Sequence, residues 1–198
     1  GNYCMFSFQA IKHFTTIDGG MLIVPSSQYK RAKLLRWYGI DRECPGKNDF
    51  RCENDVEEWG YKFHMNDVNA TVGIVQLKYI DWILSQHRSN ASFYNEQLSH
   101  LPGLRLLKYP EDSNPAYWLY TMMVERRDDF RQYMNENGVM VSRVHERNDN
   151  HSCVKEFKCH LPGVEKAVAE MINIPVGWWV TNEDREKITE LEPIRLMQ

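Results

Sequence analysis

A long helical pattern in the middle of the chain constrains the fold more than any other feature. It starts near Asn66 and runs toward Leu98, and Pro102-Gly103 comes after it as a stop signal. Apolar residues recur along it at three- and four-residue spacing, at Val68, Val72, Val75, Tyr79, Trp82 and Ile83. A single helix of this length divides the chain into one segment before it and one segment after it. We therefore expect three parts, over residues 1–65, 66–100 and 101–198.

The segment before this helix has the composition of strands. Residues 3–8 form a nearly continuous apolar run, which is typical of a strand buried on both faces of an α/β sheet. Because an interior strand seldom opens a protein, we expect further sequence upstream. Residues 15–24 predict a hairpin of two short strands around the turn Asp18-Gly19-Gly20. A helix over residues 26–38 and a surface loop over residues 40–59 complete this part.

The segment after the long helix alternates strands with helices. Strands are expected over residues 104–107, 117–124 and 139–144. Helices are expected over residues 128–137, 162–172 and 182–191, the last one capped by Thr181 with Asp184 three residues on. Such an alternation predicts a small α/β or α+β domain.

Composition excludes several classes of partner. The chain has 24 basic and 27 acidic residues and no basic run suited to a phosphate backbone, so nucleic acid is not expected to bind. No stretch approaches the roughly 18 apolar residues of a membrane span, and the first residues show no basic segment followed by an apolar core of the kind that a signal peptide has. The five cysteines lack paired spacing, which favours reduced thiols over disulfides. We therefore expect a cytoplasmic protein without a membrane partner.

One group of residues has side chains that can bind zinc. His151, Cys153, Cys159 and His160 lie close together, but their spacing matches no two-residue cysteine or histidine knuckle. A zinc-stabilised domain built on them is the alternative interpretation. We interpret the group as incidental and predict no metal site.

Three segments carry motifs that occur together elsewhere. The first is Phe6-Ser7-Phe8-Gln9-Ala10-Ile11-Lys12, followed by Thr15-Thr16 and Gly19-Gly20; the second is Gly60-Tyr61-Lys62-Phe63-His64-Met65; the third runs from Gly138-Val139 through Val144-His145 to His151. In this order they resemble motifs of the DegT/DnrJ/EryC1/StrS aminotransferases. The resemblance covers nearly the whole chain but only the second half of the family's usual length.

The resemblance implies an α/β chain of fold type I. Residues 1–65 would be the last strands of an aspartate-aminotransferase-like large domain, residues 66–100 a connecting helix, and residues 101–198 a small α+β C-terminal domain. It also implies pyridoxal 5'-phosphate as the cofactor. The upstream half of the family supplies the acidic partner of the pyridine nitrogen, an aromatic residue stacked on the ring and a phosphate-binding turn.

Lys12 occupies the position of the family lysine that forms the Schiff base to the cofactor. The eight-residue step from Lys12 to Gly20 assigns this position to Lys12 and not to His13. The distinction matters because a related branch has histidine there and catalyses dehydration. We expect Lys12 to act as general base and general acid on the substrate Cα proton. The alternative is a solvated lysine at a strand end.

Two further residues are implied as contacts of the cofactor. The resemblance places the Ser7 hydroxyl at the cofactor phosphate, with a strand serine bonded to backbone as the alternative. Lys62 stands where many relatives have an asparagine that reaches the phosphate of the neighbouring subunit's cofactor, and a lysine can do so as a point charge. A solvated loop lysine is the alternative. His64 replaces an arginine of the motif.

Three residues are implied or predicted to contact substrates. His145 and His151 align with positions that approach the sugar or its diphosphate, the alternative being surface histidines. Arg51, in the polar loop, is expected to hold the carboxylate of glutamate through its planar guanidinium.

The function implied is transfer of the amino group of glutamate to a nucleotide-linked keto-sugar by a homodimer, a reaction of cell-surface polysaccharide synthesis. The competing hypothesis is that the chain alone is a catalytically incomplete fragment that dimerises but retains no cofactor.

Overall fold

The computed structural model describes residues 2–43 and 55–191. The chain forms two compact units, Gly1–Ile80 and Asp81–Gln198. A two-stranded sheet lies in the first unit and a three-stranded sheet in the second, each accompanied by helices. This mixture confirms the α/β class expected from the sequence.

The first unit opens with the antiparallel strands β1 (Cys4–Ser7) and β2 (Gly20–Ile23). The hairpin predicted around the turn in residues 15–24 is wrong, because β2 pairs with β1. Residues 15–18 form no strand, since Ile17 has a φ of 72°, far from extended backbone. Both strands expose their side chains, so the expectation of burial on both faces is also wrong for the described residues. Within the described residues, β1 and β2 are the two strands of this sheet, and no further strand packs over them.

Gly20 is required by the close approach of β1. A Cβ atom at this position would lie 2.6 Å from the Phe6 carbonyl oxygen, well inside van der Waals contact. We expect Gly20→Ala to lower the free energy of local opening of this sheet by about 1–3 kcal/mol, measured by amide hydrogen exchange in β1 and β2.

Gly163→Ala is the control for that change, because nothing lies within 4 Å of a Cβ built at Gly163. The control is expected to leave exchange unchanged. Equal exchange rates in Gly20→Ala and the native protein would contradict the close contact.

The helix predicted over residues 26–38 is present as α1 (Tyr29–Leu35), preceded by a 3-10 turn. The chain leaves it through Gly39, whose φ of 81° suits glycine. The next helix, α2 (Asp67–Gln76), starts at Asn66, whose side chain accepts a hydrogen bond from the Asn69 N–H.

The long helix predicted over residues 66–100 is two helices, and the prediction of an unbroken helix is wrong in this respect. The second, α3 (Ile80–Leu98), starts after a turn. In the turn, the Lys78 N–H donates to Val75 O at 3.2 Å and the Tyr79 N–H donates to Gln76 O at 3.0 Å. These bonds span three residues instead of four, which tightens the backbone. Apolar spacing continues across the turn, so periodicity did not reveal it.

The second unit contains an antiparallel sheet in the order β3 (Leu104–Leu106), β4 (Tyr120–Val124) and β5 (Met171–Ile174). Strand β5 was not predicted, because the helix expected over 162–172 ends at Glu170. The strand expected over 139–144 is reduced to one bridge between Ser142 and Asn173. In both cases, pairing with a distant segment decided the outcome.

The helices of this unit agree with the sequence. They are α4 (Arg127–Glu136), α5 (Pro162–Glu170) and α6 (Asn182–Glu190). Gly138, with a φ of 78°, comes after α4, and Thr181 forms a capping box with Asp184 at the start of α6. None of the described helices is long and apolar enough to cross a membrane.

One face of α3 packs against the sheet and against α4 and α6 to form the core of the second unit. Its buried members include Ala91, Tyr94, Met122, Val124, Phe130, Met134, Ile172 and Ile188. The Tyr94 hydroxyl donates to Pro175 O at 2.8 Å, so the polar atom is paired inside the core. Burial raises the pKa of Tyr94, and the phenol stays protonated.

His87 on α3 makes the stability of this unit depend on pH. Its side chain is buried, and Nδ1 lies 2.8 Å from Tyr117 O. Burial lowers the pKa of His87, although the carbonyl partly opposes the shift. The unfolded chain therefore takes up this proton first as the pH falls below about 6.5, and stability is lost in that direction.

We expect His87→Gln to flatten the fall in the free energy of unfolding between about pH 6.5 and pH 5, measured by urea unfolding. His100→Gln, at an exposed position of the same unit, should retain the native slope. A slope in His87→Gln as steep as the native one would contradict the role of His87.

Candidate functional site

Lys12 lies in a closed loop between β1 and β2. The Phe8 N–H donates to Gly19 O at 2.9 Å, and the Thr16 N–H donates to Phe8 O at 2.9 Å. Within the loop, the Lys12 N–H donates to Gln9 O at 3.0 Å. The Lys12 side chain is half-buried. Because the backbone is held on both sides, the reach of Lys12 Nζ is set by its own side-chain torsions.

Two threonines of the first motif fasten this loop. Thr15 Oγ1 donates to Phe8 O at 3.2 Å and accepts from the Ile17 N–H at 2.8 Å. Thr16 Oγ1, in a residue only 1% exposed, donates to Asp18 O at 2.6 Å. Each hydroxyl bonds to a backbone group two residues further along the chain, and these bonds shape the loop. A threonine that bonds to the backbone at this spacing is a turn signal that sequence can indicate.

Helix α2 also contacts the loop of Lys12. Asn69 Nδ2, on α2, donates to Asp18 O at 3.1 Å. Gly73 lets α2 approach, because a Cβ there would lie 2.8 Å from Thr16 Cγ2. These roles of Asn69 and Gly73 become visible only when folding brings the two segments into contact.

Ser7 lies at the end of β1, directly before the loop of Lys12. Its side chain is exposed, and Ser7 Oγ accepts from the Gln9 N–H at 3.5 Å. The hydroxyl therefore keeps its own proton for donation to a ligand. Ser7 and Lys12 lie in one continuous strand and loop of the first unit.

Lys62 lies beside Trp37 in the first unit. The two residues form an isolated antiparallel bridge, and Lys62 Nζ lies 4.4 Å from the centroid of the Trp37 ring. It also lies 3.4 Å from both ring nitrogens of His64. Lys62 is exposed, and its ammonium contacts an aromatic face and an imidazole.

The remaining candidates lie in the second unit or outside the described residues. His145 is exposed, with its ring centroid 6.2 Å from that of Trp118. His151 is exposed between two 3-10 turns, and its N–H donates to Asn148 O at 3.2 Å. Arg51 lies outside the described residues.

A family-wide sequence pattern matches almost the whole chain. The match to the DegT/DnrJ/EryC1/StrS aminotransferase family covers residues 1–191. The chain belongs to this family. The resemblance inferred from the three motifs is therefore confirmed.

Solved structures of sugar aminotransferases share the fold. The chain is 43% identical to AtS13 from Actinomadura melliaura, with a TM-score of 0.91 over 99% of this chain and 52% of that one. It is 37% identical to the sugar aminotransferase CalS13 from Micromonospora echinospora, with a TM-score of 0.91 over 96% of this chain and 51% of that one. The chain spans about half the length of the solved structures it matches.

An archaeal relative matches a shorter region. The uncharacterized protein MJ1066 of Methanocaldococcus jannaschii is 31% identical over 127 residues, which is 63% of this chain and 33% of that protein.

Arg147 forms hydrogen bonds that hold the segment in which both candidate histidines of the second unit lie. The guanidinium, in a residue 9% exposed, donates to both carboxylate oxygens of Asp149 at 2.6 and 2.5 Å. It also donates to Glu165 at 3.3 Å and to Cys159 O at 2.8 Å. The bond from Arg147 lowers the pKa of Asp149. Sequence reasoning missed Arg147, because its partners lie up to eighteen residues away.

We expect Arg147→Ala to increase proteolytic cleavage within residues 148–160 about tenfold or more. Removing the guanidinium takes the bidentate partner from the Asp149 carboxylate and one of the partners from Glu165, which favours local opening. Limited proteolysis with mass spectrometry locates the cut. The control is Arg105→Ala, whose pair with Glu170 is 59% exposed on the arginine side. Unchanged cleavage in Arg147→Ala would contradict the role of Arg147.

The residues considered for zinc have other contacts. His160 Nδ1 lies 3.1 Å from Glu165 Oε1, and the Cys159 carbonyl accepts from Arg147. Cys153 and Cys159 are exposed free thiols. Within residues 2–43 and 55–191, no group of three or more His, Cys, Asp or Glu side chains is arranged to hold a metal ion.

Proposed function

We propose that this chain carries the lysine-bearing half of a pyridoxal-phosphate-dependent sugar aminotransferase. The observation that supports it best is the closed loop of Lys12, which holds the motif lysine directly after β1 in a member of this family. The proposed reaction transfers the amino group of glutamate to a nucleotide-linked keto-sugar.

The residues around Lys12 fit the cofactor chemically. Lys12 offers an amine for the aldehyde carbon, and Ser7, five residues earlier, offers a hydroxyl donor for the phosphate. The bound cofactor supplies an electron sink that stabilises the substrate Cα carbanion. With the cofactor bound, Lys12 Nζ would move the proton from the donor Cα to the cofactor C4′ in the first half of the reaction, and from C4′ to the substrate carbon in the second half. The hydrogen bonds of the loop backbone restrict where Nζ can lie, which lowers the cost of orienting it.

Lys62 is proposed to contact the phosphate of the cofactor held by a neighbouring subunit. Its ammonium is already positioned by Trp37, so less side-chain freedom is lost when the anion binds. This role requires a homodimer, which we propose as the active form.

The other candidate residues are proposed to bind the two substrates. His145 and His151 are proposed to donate hydrogen bonds to the sugar or its diphosphate, with Arg147 holding their segment in place. Arg51 is proposed to bind the carboxylate of glutamate.

Titration of pyridoxal 5'-phosphate into the purified chain tests this proposal. Binding at Lys12 should produce an absorbance band near the visible edge, and borohydride reduction should attach the cofactor to the peptide that contains Lys12. Attachment to another lysine would contradict the assignment.

A specific observation favours a second candidate, an interaction fragment that does not retain cofactor. Large apolar side chains are exposed in the first unit, including Met5 at 83%, Phe63 at 74% and Trp59 at 73%. Exposed apolar groups of this kind mark interaction surfaces. Dimerisation of the chain without any cofactor band in the same titration would support this candidate, and tight binding of cofactor would exclude it.

A further inference from the structure

Three basic side chains surround Trp37 in the first unit. Lys62 Nζ lies 4.4 Å and the Arg42 guanidinium carbon 4.7 Å from the centroid of the indole. The His64 imidazole packs edge-on against the same indole, with ring centroids 3.9 Å apart. We call Trp37, Arg42, Lys62 and His64 the Trp37 cluster. The indole attracts the two cations, so all three basic groups lie against the same ring.

Positive charge predominates around the Trp37 cluster. Arg36 adds a further cation near His64 and affects its pKa in the same direction as Lys62 and Arg42. Of the nearby acidic groups, Glu43 pairs with Lys33, and the Asp41 carboxylate accepts from the Glu43 N–H at 3.0 Å. Asp67 acts on His64 in the opposite sense to the cations, with the smallest effect.

Within the part of the chain that the structure describes, no carboxylate forms an ion pair with Arg42, Lys62 or His64. Cations that pack on the same ring repel each other, and a bound anion would offset this repulsion. The cluster therefore has the charge and the donors for an anion, and lacks a described side chain that supplies one.

His64 is the member whose charge can change near neutral pH. Lys62 Nζ lies 3.4 Å from both of its ring nitrogens, and an ammonium can only donate. The imidazole can accept from Lys62 only while it is neutral. Burial, Lys62, Arg42 and Arg36 lower the pKa of His64, in that order.

We propose that the Trp37 cluster binds a tetrahedral oxyanion such as a phosphate monoester, and that His64 takes up a proton from solvent when the anion binds. Arg42 then donates from its planar fork, Lys62 acts as a point charge, and both ring N–H groups of His64 can donate. Identification of this anion with the cofactor phosphate rests on the function proposed for Lys62. The anion site itself rests on the contacts of the cluster.

The consequence is an affinity for the anion that falls as the pH rises. Proton uptake and anion binding are linked, so each one favours the other by the same factor. An arginine, which the resembled motif has at the position of His64, keeps its charge throughout the physiological range. The histidine therefore makes this site dependent on pH.

Sulfate tests the proposal without the cofactor, because it keeps its double negative charge across the range of a histidine titration. The protonation of His64 is followed through its imidazole proton resonance, assigned with His64→Gln, in sulfate and in chloride of equal ionic strength. We expect sulfate to raise the midpoint by about one pH unit, and to bind about tenfold more tightly at the low end of the titration than at the high end.

Matched variants decide whether the cluster is responsible. Arg42→Met and Lys62→Met should each lose most of the sulfate-induced rise, while Lys30→Met, at an exposed lysine of α1, should keep it. An identical His64 titration in sulfate and chloride would overturn the proposal, as would a rise that persists in both cluster variants. Because sulfate binding requires neither Lys12 nor cofactor, failure here leaves the Lys12 titration to be judged by itself.

Discussion

Lys12→Ala is expected to lower amino-group transfer by about a thousandfold or more and to abolish the absorbance band that bound cofactor produces near the visible edge. Lys12→Ala removes the amine that is proposed to join the cofactor covalently and to move the substrate Cα proton. The backbone bonds that close the loop do not involve the Lys12 side chain, so the loop should persist. Absorbance spectra of the cofactor-loaded protein and rates of amino transfer measure the two effects.

Lys30→Ala is the matched control for that prediction. Lys30 lies in α1 of the same unit with an exposed side chain, so its loss removes the same chemical group away from the loop. The control should keep both the band and the rate. A cofactor band that survives in Lys12→Ala would remove Lys12 from its proposed role while leaving the family assignment unchanged.

The second large expected effect is a loss of stability when the core of the second unit is changed. Met134, on α4, is 0% exposed and packs in the cluster that joins α3, α4 and the sheet. We expect Met134→Ala to lower the free energy of unfolding by about 2–5 kcal/mol, because the lost transfer energy adds to the cavity that remains. Urea unfolding followed by circular dichroism measures the change.

Met140→Ala provides the same substitution at a position 83% exposed. It is expected to change the free energy of unfolding by about 0.5 kcal/mol or less. If both variants lost the same stability, Met134 would not belong to a packed core.

Local sequence predicted the helices of the second unit well. Thr181 with Asp184 and the glycine after α4 are signals that act within one turn of a helix, so neighbouring residues suffice to place them. The break between α2 and α3 was missed for the opposite reason. The apolar spacing records which face is buried, and it continues unchanged through the tighter turn at Lys78 and Tyr79.

Strand pairing was predicted less well. The pattern of residues 15–24 predicts that β2 forms a hairpin with residues 15–18. In the structure, β2 pairs with β1 across the loop of Lys12 instead. Strand β5 reads as the end of α5 until its partner β4 is known. Pairing of this kind joins residues far apart in the chain, and local propensity carries little information about it.

The sequence by itself determined the family, the position of Lys12 and Ser7 in one strand and loop, and the helices whose ends are set by nearby residues. The tertiary structure alone revealed the contact of Asn69 with the Lys12 loop, the hold of Arg147 on the histidine segment, and the convergence of Arg42, Lys62 and His64 on Trp37. The physical reason is distance along the chain. Capping and turn chemistry act between neighbours, whereas buried ion pairs and aromatic contacts form only when folding brings separate segments together.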